Sequence, residues 1–167
     1  IYMHGVTKEL NRLVKASVLR DAGKAPAKPT EQAYATLLDS LVAAPDGVDL
    51  RVIVDVIAGT SAGGINGIYL AKALAGNRSQ DALRQLWFER GDMNELLDFP
   101  KKILGIPLKF EWKGPFLLPR ALKRSPIRGD LMTKWLHDAL TEMDKGTPSP
   151  SALTSLVPAG NQLDLFV

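Results

Sequence analysis

Residues 51–75 read Arg51-Val-Ile-Val-Asp55-Val-Ile-Ala58, then Gly59-Thr60-Ser61-Ala62-Gly63-Gly64, then Ile65-Asn-Gly-Ile-Tyr69-Leu-Ala-Lys-Ala-Leu-Ala75. The first piece is a β-branched run broken only by Asp55, the signature of a short buried strand. The last piece puts Ile65, Ile68, Tyr69, Leu70 and Leu74 on roughly one helical face, filled out with alanine. Between them lies G-x-S-x-G, in the strand–turn–helix context that gives this motif a meaning. A serine at the apex of such a turn points its hydroxyl out of the sheet, where a carbonyl carbon can approach. The turn holds Ser61 in a sparsely allowed backbone region, and glycine at 59 and 63 is expected to remove collisions with the strand and helix. The helix from Ala62 aims unpaired N–H groups and its positive dipole end at the place where an oxyanion would form. Two blander readings compete: a glycine-rich connection with an incidental serine, and a phosphate-binding loop. The second lacks the Lys-Ser/Thr pair that closes G-x-x-x-x-G-K-[ST].

Working outward, the 167 residues suffice for one domain with a sizeable core. A net charge of +3 is mildly basic, and no nucleic-acid-binding motif accompanies it. The absence of cysteine excludes disulfides, thiolate catalysis and cysteine-bound zinc. With His4 and His137 as the only histidines, no metal site and no cofactor are expected. No stretch has the continuous apolar length of a membrane span, and the first residues lack a signal-peptide layout. A soluble chain follows, cytoplasmic or peripheral to a membrane.

Upstream, Val6, Leu10, Leu13, Val14 and Val18 predict a helix from the very start, so abrupt that a preceding strand and loop are expected before Ile1. Residues 21–30 are a Pro/Ala/Lys-rich loop. Thr30 is placed as the cap of a second helix whose buried face is Tyr34, Leu37, Leu38, Leu41 and Val42. Downstream, Gly76-Asn77 stops the elbow helix and Ser79 caps the next, which carries Leu83, Leu86, Trp87 and Phe88. A further short helical turn is placed at Glu95–Asp98.

Residues 99–126 mix Phe99, Ile103, Trp112, Phe116 and Leu117 with Lys101, Lys102, Lys109 and Lys113, and repeated prolines forbid one long helix. They read either as a buried irregular crossover or as an apolar, basic flap beside Ser61, suited to an amphipathic substrate or an anionic membrane surface. Asp130 is placed as the cap of a helix with Leu131, Trp135, Leu136, Leu140 and Met143 on its face. Residues 162–167 read as a strand. The whole gives an α/β order: a mainly parallel sheet including 51–58 and 162–167, with helices on both faces. It is a single domain, 1–167, with a helical and irregular crossover over about 77–160.

The stretch Val56-Ile-Ala-Gly-Thr-Ser61-Ala-Gly-Gly64-Ile-Asn-Gly67 resembles the patatin-like phospholipases, especially bacterial patatin-related proteins, whose nucleophile motif is commonly G-T-S-A-G-G. Tyr2–Leu10 is similar to the family's first helix, and Leu163–Val167 to its next core strand. The resemblance implies a three-layer α/β/α fold and a serine–aspartate dyad acting on lipid or phospholipid esters, without cofactor. Ser61 maps onto the nucleophile and the Ala62 N–H onto the oxyanion hole. The family's glycine-rich oxyanion loop is expected before Ile1, and its aspartate, in D-G-G or D-G-A, beyond Val167. Neither triplet occurs in these residues, and Asp46-Gly47-Val48 is the only Asp-Gly. The chain thus reads as a piece of a larger catalytic domain, inactive alone. Two other functions stay open. One is an α/β-hydrolase-type esterase using Ser61, Asp98 or Asp130, and His137 in that order. The other is an inactive lipid-binding scaffold.

Overall fold

The computed structural model describes residues 2–81, 83–84, 102–103, 106–107, 129–145 and 153–167. In chain order the elements are α1 (Tyr2–Asp21), α2 (Pro29–Val42), β1 (Val56–Ala58), α3 (Ala62–Ala75), β2 (Lys102–Ile103), β3 (Ile106–Pro107), α4 (Gly129–Lys145) and β4 (Asp164–Phe166). This is an α/β arrangement around a small parallel sheet.

β1 pairs with β4 in parallel, Ile57 opposite Leu165, while β2 and β3 form a separate two-residue antiparallel ladder. The expected strand 51–58 is thus shortened to 56–58, and 162–167 to 164–166. The physical reason is pairing. Ladder bonds exist only where β4 runs alongside, and upstream the chain is extended but tied to helix instead, the Val52 N–H donating to buried Ser17 Oγ at 2.9 Å. One further sheet bond runs from the Asp164 N–H to the Asp55 carbonyl at 2.8 Å.

α3 is the central post. Leu70 and Leu74 join Ile57 of β1, Val14 and Val18 of α1 and Leu156 in one buried cluster. A residue's rotation away, Tyr69 and Ala73 pack with Leu83, Ala139 and Met143. A helix covered on two sides need not be amphipathic, which is why its sequence is apolar nearly all round. Gly67 permits the close approach to the strand, since a Cβ there would lie 2.9 Å from Ile57 Cγ2. The C-terminus closes with Gly76 as cap, Asn77 at φ 47 and the Arg78 N–H bonded back to the Ala73 carbonyl. This is a Schellman closure with asparagine in the left-handed position. Asn77 Nδ2 and the Leu156 N–H then lash 153–156 to it, through the Leu153 and Leu74 carbonyls respectively.

Several expectations are corrected. The second helix begins at Pro29, with Lys28 as its N-cap and Thr30 inside the first turn; proline's fixed φ suits that first position. Of its expected apolar face only Leu38 is buried, while Leu37, Leu41 and Val42 are exposed. Val6 of α1 is exposed too. Asp130 lies within the first turn of α4, which starts at Gly129. The face of α4 is as expected at Trp135 and Met143, with Leu136 and Leu140 partly buried.

The described helices cover one side of the sheet. Val56 and Phe166 point the other way and are 55% and 62% exposed. The described residues therefore make two layers. The expected flap residues 99–126 lie outside them, apart from the four backbone positions of β2 and β3, as do Leu86, Trp87, Phe88 and Glu95–Asp98.

Candidate active site

Three residues separate β1 from α3, and the structure shows what each does. The Gly59 N–H donates to the Phe166 carbonyl at 3.0 Å, the last rung between the two strands. A Cβ on Gly59 would sit 2.6 Å from the Gly63 carbonyl carbon and 2.8 Å from the Gly64 nitrogen, both rigid backbone. Only glycine fits there. Thr60 then bends the chain, its carbonyl accepting the Gly63 N–H at 2.9 Å.

Ser61 occupies φ 52, ψ −124, a region that costs an L-residue about 1–3 kcal/mol. It stands as the N-cap of α3, yet its side chain makes no capping bond. Its carbonyl instead accepts the Ile65 N–H, closing the first helical turn. The backbone thus carries the helix start and leaves an exposed hydroxyl uncommitted to capping. Ala62, as the first helical residue, has no carbonyl one turn back to receive its N–H. That donor and the positive end of α3 lie next to Ser61, the arrangement that stabilises an oxyanion.

The two glycines after Ser61 differ. At Gly64 a Cβ would approach the Gly59 carbonyl oxygen to 3.1 Å and Val167 Cβ to 3.5 Å, so glycine lets helix and strand end meet. At Gly63 a Cβ would have no described atom within 4 Å. The expected collision at 63 is therefore corrected: Gly59 and Gly64 fill that steric role.

The other sequence candidates are not joined to Ser61. Among the described residues no hydrogen bond links it to His4, His137, Asp55 or Asp164. His137 lies on the outer side of α4 with an 80% exposed side chain, its Nδ1 3.9 Å from Asp138. His4 is buried in α1 with both ring nitrogens unpartnered, and burial, with Lys8, lowers its pKa. Asp55 is exposed and contributes to the sheet through its carbonyl. Asp98 lies outside the described residues, and Asp130 is exposed at the start of α4. Sequence reasoning missed Phe166, whose carbonyl fixes Gly59; only the strand pairing reveals it.

Among the described residues no group of three or more His, Asp or Glu is gathered as metal ligands, and no described helix is long and apolar enough to cross a membrane. In the cluster with Leu83, Ala139 and Met143, burial pushes the Tyr69 phenol up to about 12, so it stays neutral in the packing of α3.

A strained serine on a glycine-bounded turn between a parallel strand and a helix has the backbone shape of a G-x-S-x-G elbow. The model of the patatin-like phospholipase family matches residues 33–155, which span that elbow, and the chain belongs to this family. The family is one of lipid acyl hydrolases. The chain is also 36% identical over 110 residues to the "Uncharacterized membrane protein Rv3479" of Mycobacterium tuberculosis (strain ATCC 25618 / H37Rv). That similarity covers 60% of this chain and 10% of the relative's length. No solved structure matches the chain.

Proposed function

We propose that Ser61 is the nucleophile of a serine lipid acyl hydrolase that cleaves phospholipid or related lipid esters through a serine–aspartate dyad. The observation that carries this reading is the backbone of Ser61, φ 52 and ψ −124, with its side chain exposed and not used as a cap. Strain of that kind persists where the surrounding structure enforces it, and here it presents an oxygen above the start of a helix. In the proposed reaction Ser61 Oγ attacks the ester carbonyl, its proton passes to the base, and the Ala62 N–H receives the developing oxyanion. The acyl-serine then forms with release of the alcohol, and water hydrolyses it.

The base is proposed to be an aspartate in the family's D-G-G or D-G-A motif, supplied from outside residues 1–167, where neither triplet occurs. The glycine-rich partner of the oxyanion hole is assigned likewise. In the complete domain a second helical layer is proposed to cover Val56 and Phe166, giving the three-layer fold, and the apolar and basic residues of 99–126 are proposed to contact lipid. The test is ester hydrolysis and fluorophosphonate labelling of the full-length protein with and without Ser61→Ala. Loss of both supports the reading; retained turnover and labelling refute it.

A further inference from the structure

Away from the elbow, α1, the start of α2 and the turn after α3 converge on a small recess that is open to solvent. One wall is a stripe of α1: Lys8, Asn11, Arg12 and Lys15, a spacing that puts all four on one side of the helix. Lys28 and Glu31 come from α2, and Arg78, Gln80 and Asp81 from the turn. Five cations and two carboxylates line it, a surplus of three.

Asp81 is shared among the cations, bound to Lys8 at 2.6 Å and Lys28 at 2.5 Å, with Arg12 at 3.7 Å. Burial opposes its ionisation, but hydrogen bonds from Lys28, Lys8 and Ser79 outweigh this and hold its carboxyl well below the usual range. Arg12 is also held by Glu9 at 2.5 Å and Arg78 lies 3.9 Å from Asp144, so Lys8, Lys15 and Lys28 against Asp81 and Glu31 leave the recess mildly positive.

The floor supplies an independent observation. Asn11, Glu31 and Gln80 are more than nine-tenths buried, and Asn11 Oδ1, Glu31 Oε2 and Gln80 Nε2 are shut from solvent without a partner. Buried polar atoms in that state are unusual and costly. Two acceptors and one donor beneath a cationic rim match a ligand that is anionic and also carries a hydroxyl. Its charged oxygens would take the Gln80 N–H and the lysine ammonium groups, and its O–H would donate to Glu31 or Asn11 as those side chains turn toward it.

We propose that this recess binds a phosphate group that bears or adjoins a hydroxyl: hydrogen phosphate itself, or the phosphate of a glycerol headgroup. The site is separate from Ser61 and does not depend on its chemistry.

The test is calorimetric titration of the full-length protein with inorganic phosphate, glycerol 3-phosphate and sulfate, the last having the charge but no proton to donate at neutral pH. Phosphate should bind about tenfold more tightly than sulfate, the worth of one good hydrogen bond to a charged group. Glu31→Gln should abolish that preference, and Lys28→Gln should weaken binding by about tenfold. Lys15→Ala, outside the Asp81 cluster, should weaken it with thermal stability kept, and Ser61→Ala should leave it unchanged. If glycerol 3-phosphate and phosphatidylglycerol vesicles bind in a Lys15-dependent way while phosphatidylcholine vesicles do not, the ligand is a headgroup. If inorganic phosphate alone binds, it is free phosphate. No saturable binding, or phosphate and sulfate bound equally in wild type and Glu31→Gln, overturns the proposal.

Discussion

Replacing Gly59 by alanine is the sharpest probe of the elbow, because its outcome can be worked from the structure and compared with the same change four residues on. A Cβ at 59 would stand 2.6 Å from the Gly63 carbonyl carbon, whereas ordinary contacts begin near 3.4 Å, so helix and strand must separate by about 0.8 Å. Both are backbone, and the strand is held by the bond from the Gly59 N–H to Phe166. Overpacking of this kind costs about 1–3 kcal/mol. The part that moves is the first turn of α3, which carries the Ala62 N–H. A displacement approaching 1 Å at a reacting centre can lower turnover by about 100-fold. Gly63→Ala meets no described atom within 4 Å and lies in a helix, where alanine is favoured over glycine by about 0.5–1 kcal/mol. Urea unfolding and ester turnover of both full-length variants would therefore diverge: Gly59→Ala less stable and nearly inactive, Gly63→Ala as stable as wild type or more so. Equal stabilities for the two variants would refute the steric account of the turn.

Ser61→Ala should lower ester turnover by about three powers of ten or more while relieving backbone strain only slightly, read by steady-state assay beside unfolding. Leu74→Ala removes a side chain 1% exposed at the junction of α1, α3 and β1, and should cost about 2–5 kcal/mol in urea unfolding. Because burial depresses the folded pKa of His4, the unfolded chain binds the extra proton first. Stability should therefore be full above about 6.5 and fall as pH drops below it, and His4→Leu should flatten that slope in melts between about pH 5 and 7. An unchanged slope would remove His4 from the account.

How much the sequence could tell depended on whether the constraint was local. Gly59, Ser61 and the 62–75 helix were legible because a sharp turn restricts its own residues whatever surrounds it. The buried stripe of α4 was legible from its period for the same reason. Leu37, Leu41 and Val42 show the limit: periodicity says which side of α2 is apolar, and only tertiary packing says whether anything covers it. The shortened β1 has the same cause, since strand propensity at Arg51–Asp55 needs a neighbour to become a ladder. Lys28 as cap was missed because Pro29, not a side-chain acceptor, sets that helix start. The buried polar floor at Asn11, Glu31 and Gln80 left no sequence signal, because three separate segments have to meet to create it.

The bond between Gly59 and Phe166 also sets a clock. A ribosome adding about 5–20 residues per second needs roughly 5–20 s to travel between those two positions. During that interval β1 exists without the strand that fixes it, and its apolar edge can be claimed by other chains. The serine turn is therefore among the last features of this region to be set, its geometry conferred by a segment made long after it. Parallel pairing at such sequence distance is slow to nucleate even once both strands are available, since the intervening loop must close first. A nascent chain stalled before Phe166 would carry every residue of the G-T-S-A-G-G motif and still lack the strand contact that shapes it.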